Sequence, residues 1–162
     1  MSDLTYYNYK GVGEYNAEHH GYSQAVRVGD TIQCSGQGTS ILVPMTTLVG
    51  EIRSLRVLRF LHFTGGWDES GKFFREINQQ IDKAFENVDL ALKTAGGKGW
   101  EQVFRVNSYH VPLNGEAQEA MTRNFKKWMP NHKPLWTCVG VTRLGEDDMR
   151  VEVEVQAYDP KK

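Results

Sequence analysis

Glu152 and Glu154 stand one residue apart in the run Arg150-Val151-Glu152-Val153-Glu154-Val155-Gln156, where polar side chains alternate with valines. On a β-strand that alternation puts both carboxylates on one face and the valines on the other. A carboxylate on a largely buried face can hold or deprotonate water, which makes Glu152 the first catalytic candidate. The competing reading is a glutamate paired across a subunit boundary, because ion-pair networks perturb carboxylates as active sites do. Cys138, two residues after Trp136, reads as a small buried hydrophobe, since no histidine lies near it in the sequence. His110 and His132 offer acid-base chemistry or structural hydrogen bonds, and the pair His19-His20 falls in a stretch without pattern. Gly96-Gly97-Lys98-Gly99 resembles a phosphate loop only in composition: it follows a helical pattern instead of a strand, so it reads as a helix stop.

The elements that must position these residues follow from periodicity. Residues 22–28 and 31–35 form two strands joined at Gly29-Asp30, a two-residue hairpin signal. Ile77, Ile81, Phe85, Val88 and Leu92 recur at helical steps and predict a helix over 76–95. A strand over 102–111 ends at Pro112, and Ala117, Met121, Phe125 and Trp128 mark a second helix that stops before Pro130. Strands over 135–144 and 149–158 close the chain. The expected architecture is α+β, a β-β-α-β-α-β mixed sheet with two helices on one face. Trp136 and Cys138 from one strand, with Glu152 and Glu154 from the next, are expected on the other face. That face would be too mixed for solvent and too polar for core, and a second copy of the chain covering it accounts for both properties.

Composition narrows the function classes. The 162 residues suit one domain, and 40% hydrophobic with 24% charged residues is ordinary globular usage. Nineteen Lys+Arg against 20 Asp+Glu leave no cationic surplus for phosphates, so no nucleic-acid partner is expected. Cys34 and Cys138 lack metal-ligand spacing, and no metal or other cofactor is expected. The opening residues lack a secretory pattern and no membrane partner is expected; the expected address is cytoplasmic, with a mitochondrial one left open.

One block departs from this pattern. Residues 39–64 are rich in Ile, Leu, Val and Phe and carry three arginines against one glutamate. The block reads as an atypical insertion in the first hairpin of a single domain spanning 1–162, either translated intervening sequence or a splice variant. A basic amphipathic helix and an extra pair of strands are the alternatives.

Outside the block, the chain carries Tyr22-Ser23-Gln24-Ala25, then Cys34-Ser35-Gly36-Gln37-Gly38, and a closing strand Glu152-Val153-Glu154-Val155-Gln156-Ala157. This order resembles the YjgF/RidA (reactive intermediate deaminase) family, also labelled L-PSP endoribonuclease. The tract 136–141 is most similar to its fungal members. The resemblance implies a chorismate-mutase-like homotrimer with a small-molecule pocket at each subunit interface and hydrolysis of 2-imino acids such as 2-iminobutanoate. By matching motif it implies Glu152 as the residue positioning water, with Tyr22, Ser35, Gly36 and Cys138 lining the pocket. The family's carboxylate-binding arginine falls on Trp136, where an indole offers one neutral N–H in place of a charged fork. Either Arg105, Arg143 or Arg150 replaces that clamp, or the ligand lacks a carboxylate and Trp136 stacks on it. A metabolite-binding trimer without turnover is the alternative; ribonuclease activity follows only from the label.

Overall fold

The computed structural model describes residues 4–38 and 76–160. The block at 39–64 lies outside the described residues. The elements run β1 (Thr5–Tyr7), α1 (Val12–His20), β2 (Ala25–Val28), β3 (Thr31–Gln37), α2 (Ile77–Thr94), a 3-10 turn (Trp100–Gln102), β4 (Val103–His110), α3 (Gly115–Trp128), β5 (Leu135–Gly140) and β6 (Val151–Tyr158). They contain the expected elements, including both closing strands, and add β1 and α1 in front. The block follows β3, so it does not interrupt the β2–β3 hairpin, which closes at Gly29 in the left-handed region with φ 58°.

Helix ends follow local chemistry. Glu76 caps α2 by accepting from the amides of Asn78 and Gln79, each at 3.0 Å. At the other end Gly96, at φ 82°, turns the chain so that Gly97 donates to the Leu92 carbonyl at 3.0 Å. The four-residue run Gly96-Gly97-Lys98-Gly99 is thus a helix stop, as its sequence context indicates. The first helix was not legible: His19 and His20 form its last turn, because Gly11 and Gly21 bound a nine-residue helix that buries only Val12, Gly13 and Asn16. Without an apolar stripe it leaves no periodic signal.

The sheet order is β1-β2-β3-β6-β4-β5, antiparallel throughout except for the parallel pair β4–β5. The chain therefore crosses from β4 through α3 to the edge strand β5, then returns to insert β6 between β3 and β4. Both C-terminal strands are shorter than expected for one reason: β4 ends at His110, which faces Gly140 on one side and Val151 on the other. Beyond it each side keeps one closing backbone bond, Val141 N–H to the His110 carbonyl at 2.9 Å and Val111 N–H to the Arg150 carbonyl at 3.0 Å.

Core and open face separate along β6. Val151, Val153, Val155 and Ala157 are buried with Ile77, Ile81, Phe85, Val88 and Leu92 of α2. Each such side chain contributes about 1.5–3 kcal/mol when fully buried. Aromatic rings continue this core beneath α3: Phe85 stacks on Trp100 at 4.4 Å and meets Phe125 edge-on at 5.6 Å. Trp100 also donates to the Phe85 carbonyl at 2.8 Å, so the buried indole N–H is satisfied. Arg27 of β2 ties the sheet to its surroundings, ion-pairing with Asp159 beyond β6 and donating to the Ala95 carbonyl at the end of α2.

Candidate functional site

A bulge builds the floor of the site. In the β3–β6 ladder Cys34 faces Val155 and Gln37 faces Val153, so Ser35 and Gly36 together oppose the single residue Glu154. Glu152 lies across the bulged backbone. A Cβ built on Gly36 would fall 1.7 Å from Glu152 Oε1 and 2.5 Å from its Cδ. Glycine at 36 is therefore the residue that lets this carboxylate occupy its place, for reasons of space and not of backbone conformation.

Glu152 is partly buried, and among the described residues it has neither a hydrogen-bond donor nor an ion-pair partner. Glu154, on the same face about 6.6 Å along the strand, accepts from Asn107 Nδ2 at 2.5 Å. Burial, then the charge of Glu154, pushes the Glu152 carboxyl above its ordinary value. Directly across the β4–β6 ladder stands Tyr109. Its phenol is pushed up by burial first, and then by Glu154 and Glu152. Tyr22 is the other phenol, also raised by burial first and by Glu152 as well, and its Oη accepts from Asn16 Nδ2 at 2.7 Å. Tyr22 is 43% exposed, so in the isolated chain the cleft is open on that side.

The short motifs have a structural meaning behind this surface. Gln37 Nε2 donates to Gln24 Oε1 at 2.9 Å, to the Ser35 carbonyl at 3.1 Å and to Ser35 Oγ at 3.2 Å; Tyr9 Oη donates to Gln37 Oε1 at 3.0 Å. Ser35 Oγ donates to the Gln24 carbonyl at 3.3 Å. The two motif glutamines, each 2% exposed, thus fix the bulge from below. In the sequence Gln24 and Gln37 stand only as motif letters, and Tyr9, Asn16 and Tyr109 belong to no motif. The alternation Asn107/Tyr109 against Ser108/His110 was a signal for Tyr109.

Trp136 and Cys138 do not share the face of Glu152. Strand β4 separates β5 from β6, and the parallel register sets Trp136 beside Val106 and Cys138 beside Ser108, both of which are fully buried on the helix side. Trp136 packs edge-on against Phe125 of α3 at 5.0 Å, and its Nε1 donates to Ser108 Oγ at 2.9 Å. Ser108 Oγ also bonds His110 Nε2 at 2.9 Å. Burial lowers the His110 pKa, holding the imidazole neutral, and pushes the Cys138 thiol up. His132 serves structure too, bonding the Val103 carbonyl at 2.7 Å. Cys34, buried under β2 and β6, is pushed up to about 12 and offers no thiolate.

The arginines suggested as replacement clamps are placed elsewhere. Arg143 pairs with Asp147 at 2.9 Å beyond β5, and Arg150 Nε donates to the Val111 carbonyl at 3.3 Å. Arg105 lies on the face of Glu152, in a depression of about 80 Å³ lined also by Gln33, Asn107, Glu154 and Gln156. Its register partner is Gln156, four residues from Glu152, roughly 13 Å along the strand. Among the described residues no three His, Cys, Asp or Glu side chains gather as metal ligands.

Comparison with known proteins bears on the fold and the family. The RutC family protein YjgH of Escherichia coli (strain K12) is 27% identical over 134 residues, covering 83% of this chain and 81% of that protein. A solved structure of protein YjgH superposes with a TM-score of 0.68 at 26% identity, covering 99% of this chain and all of the other. A member of the YjgF/YER057c/UK114 family from Mycobacterium tuberculosis shares the fold, with a TM-score of 0.65, 20% identity and coverage of 96% and 99%. The family model described as Endoribonuclease L-PSP matches residues 52–159, beginning inside the 39–64 block. With two thirds of its length matched, including the bulge-facing glutamates of β6, the chain belongs to the Endoribonuclease L-PSP family, the YjgF/RutC group.

Proposed function

We propose that this chain is an imine or enamine hydrolase that has lost the family's carboxylate clamp. The observation that carries the reading is Glu152: partly buried, unpaired among the described residues, raised in pKa, and lodged over a glycine whose missing side chain makes room for it. A carboxylate whose proton affinity is raised in this way is a stronger general base than an ordinary glutamate. The Glu152 carboxylate takes a proton from water as the oxygen adds to the C=N carbon, and passes that proton to the nitrogen. Glu152 then relays the hydroxyl proton of the tetrahedral adduct to nitrogen, the C–N bond breaks, and imine plus water leave as carbonyl compound plus ammonia. No cofactor enters this balance. Tyr22 and the Ser35-Gly36 backbone shape the cleft.

The open sheet face carries Glu152, Glu154, Asn107 and Tyr109, with Val139 and Leu135 exposed on β5 at its edge. We assign this face to contact between copies, a homotrimer in which each cleft is completed at the subunit boundary. Two carboxylates there oppose RNA phosphates, so the ribonuclease reading gains no support. Among the described residues no helix is long and apolar enough to cross a membrane. Metabolite binding without turnover is the second reading, favoured by one observation: at the position where the resemblance expects the clamp, Trp136 is folded into the core.

Ammonia release from imines generated in situ, one with a carboxylate (2-iminobutanoate) and one without, separates the two. Hydrolysis should exceed the buffer rate for at least one imine and fall roughly 10²–10⁴-fold in Glu152→Gln. Buffer rates with both would refute the hydrolase and leave the binding protein.

A further inference from the structure

The cleft above Glu152 has an electrostatic sign, and the sign constrains the ligand. The inference concerns the same cleft and rests on reading Glu152 as its functional group. Glu152 and Glu154 project from one face of β6, with the phenol of Tyr109 facing Glu152 across the ladder. No described cation forms an ion pair with either of them. Arg150 Nε is engaged by the Val111 carbonyl, and the Arg150 charge bears on Glu76 at the start of α2. Arg143 is held by Asp147 in an exposed turn. Arg105 lies in a depression that Glu154 lines and Glu152 does not, and Glu154 stands between the two in the register. A carboxylate bound to Arg105 could not also place its adjacent carbon against Glu152. Nor would a second copy supply a cation from position 136, because every copy carries tryptophan there, turned onto Phe125 and Ser108.

Beside Glu152 an anionic 2-imino acid would thus meet a carboxylate that no described cation pairs, whereas a cation would meet Glu152, Glu154 and the Tyr109 phenol. Carboxylates attract it directly, and phenol rings attract it through their faces. We propose that this cleft takes a carboxylate-free ligand carrying positive charge at or beside its C=N group: a protonated imine, or the primary ammonium from which such an imine forms. The chemistry is consistent with that charge. A protonated imine is the electrophile to which water adds, and protonated imine plus water balances to carbonyl compound plus ammonium.

Benzylammonium and benzoate, equal in ring and opposite in charge, test the inference on the full chain by NMR titration at low salt. Benzylammonium should bind at least about tenfold more tightly than benzoate and shift the Tyr109 and Glu152 signals. Glu152→Gln and Glu154→Gln should each weaken it roughly tenfold, with the remaining backbone spectrum unchanged as proof of folding. Equal or tighter binding of benzoate, binding of neither, or benzylammonium binding indifferent to both variants would overturn the inference. Parallel ammonia-release assays separate it from the hydrolase reading. Selective benzylammonium binding without accelerated hydrolysis of the benzylamine-derived imine sustains the charge preference and sinks the hydrolase. Faster hydrolysis of 2-iminobutanoate than of that imine sustains the hydrolase and overturns the charge preference.

Discussion

Glu152 and Glu154 on β6, and Trp136 and Cys138 on β5, are spaced identically, yet they point to opposite sides of the sheet. On β5 the parallel register with β4 turns Trp136 and Cys138 toward α3, where the indole finds Ser108 and Phe125. On β6 the valines take the inward side and leave the glutamates outward, against Gly36 and Tyr109. One pair is satisfied by its own chain; of the other, Glu154 has Asn107 and Glu152 has nothing among the described residues. Spacing alone decides which side chains share a face. The partner strand decides which face that is, and with it whether a residue serves stability or is left available for chemistry.

Breaking the inward pair should give the largest change. Trp136→Ala removes a partly buried ring and leaves Ser108 without its indole donor, and we expect a loss of about 3 kcal/mol in urea denaturation. An unchanged midpoint would mean that the indole points outward. Breaking the outward pair should instead affect activity. In Gly36→Ala the new methyl occupies the space of the Glu152 carboxylate, so ammonia release should fall by about tenfold or more while stability changes by under about 1 kcal/mol. Full activity in that variant would remove the carboxylate from its assigned place.

The smallest effect is the most diagnostic in sign. The folded state raises the Glu152 pKa, so it binds the proton more tightly than the unfolded chain does. The charged form therefore costs stability above the folded value, and that cost disappears as pH falls through the carboxylate range. Glu152→Gln should denature at a higher urea concentration than wild type at pH 7, with the gap closing toward pH of about 4. A variant less stable than wild type at pH 7 would indicate a paired glutamate.

What the sequence made legible was local. The hairpin at Gly29-Asp30, the 77–94 helix with its glycine stop, and the alternation of β6 each depend on neighbours a few residues away. The insertion of β6 between β3 and β4 does not, because it joins residues more than a hundred positions apart, such as Cys34 and Val155. That placement separated β5 from β6 and put Trp136 on the helix side. Of the candidate site, Gly36 and Glu152 come together and Tyr22 lies near enough to feel the Glu152 charge. Ser35 is turned back onto Gln24, and Trp136 and Cys138 belong to the core side. Gln24 and Gln37 could be seen as motif letters, but that they bond one another is a fact of the folded sheet.

The titration of Glu152 itself, followed through its side-chain carboxyl carbon by NMR on the full chain, tests the account most directly. The expected midpoint lies above that of an ordinary glutamate, about 4.3, and moves down when benzylammonium is added but not when benzoate is. A ligand-free midpoint at or below 4.3 would place a cation against Glu152 and contradict the unpaired carboxylate on which both the hydrolase and its charge preference rest.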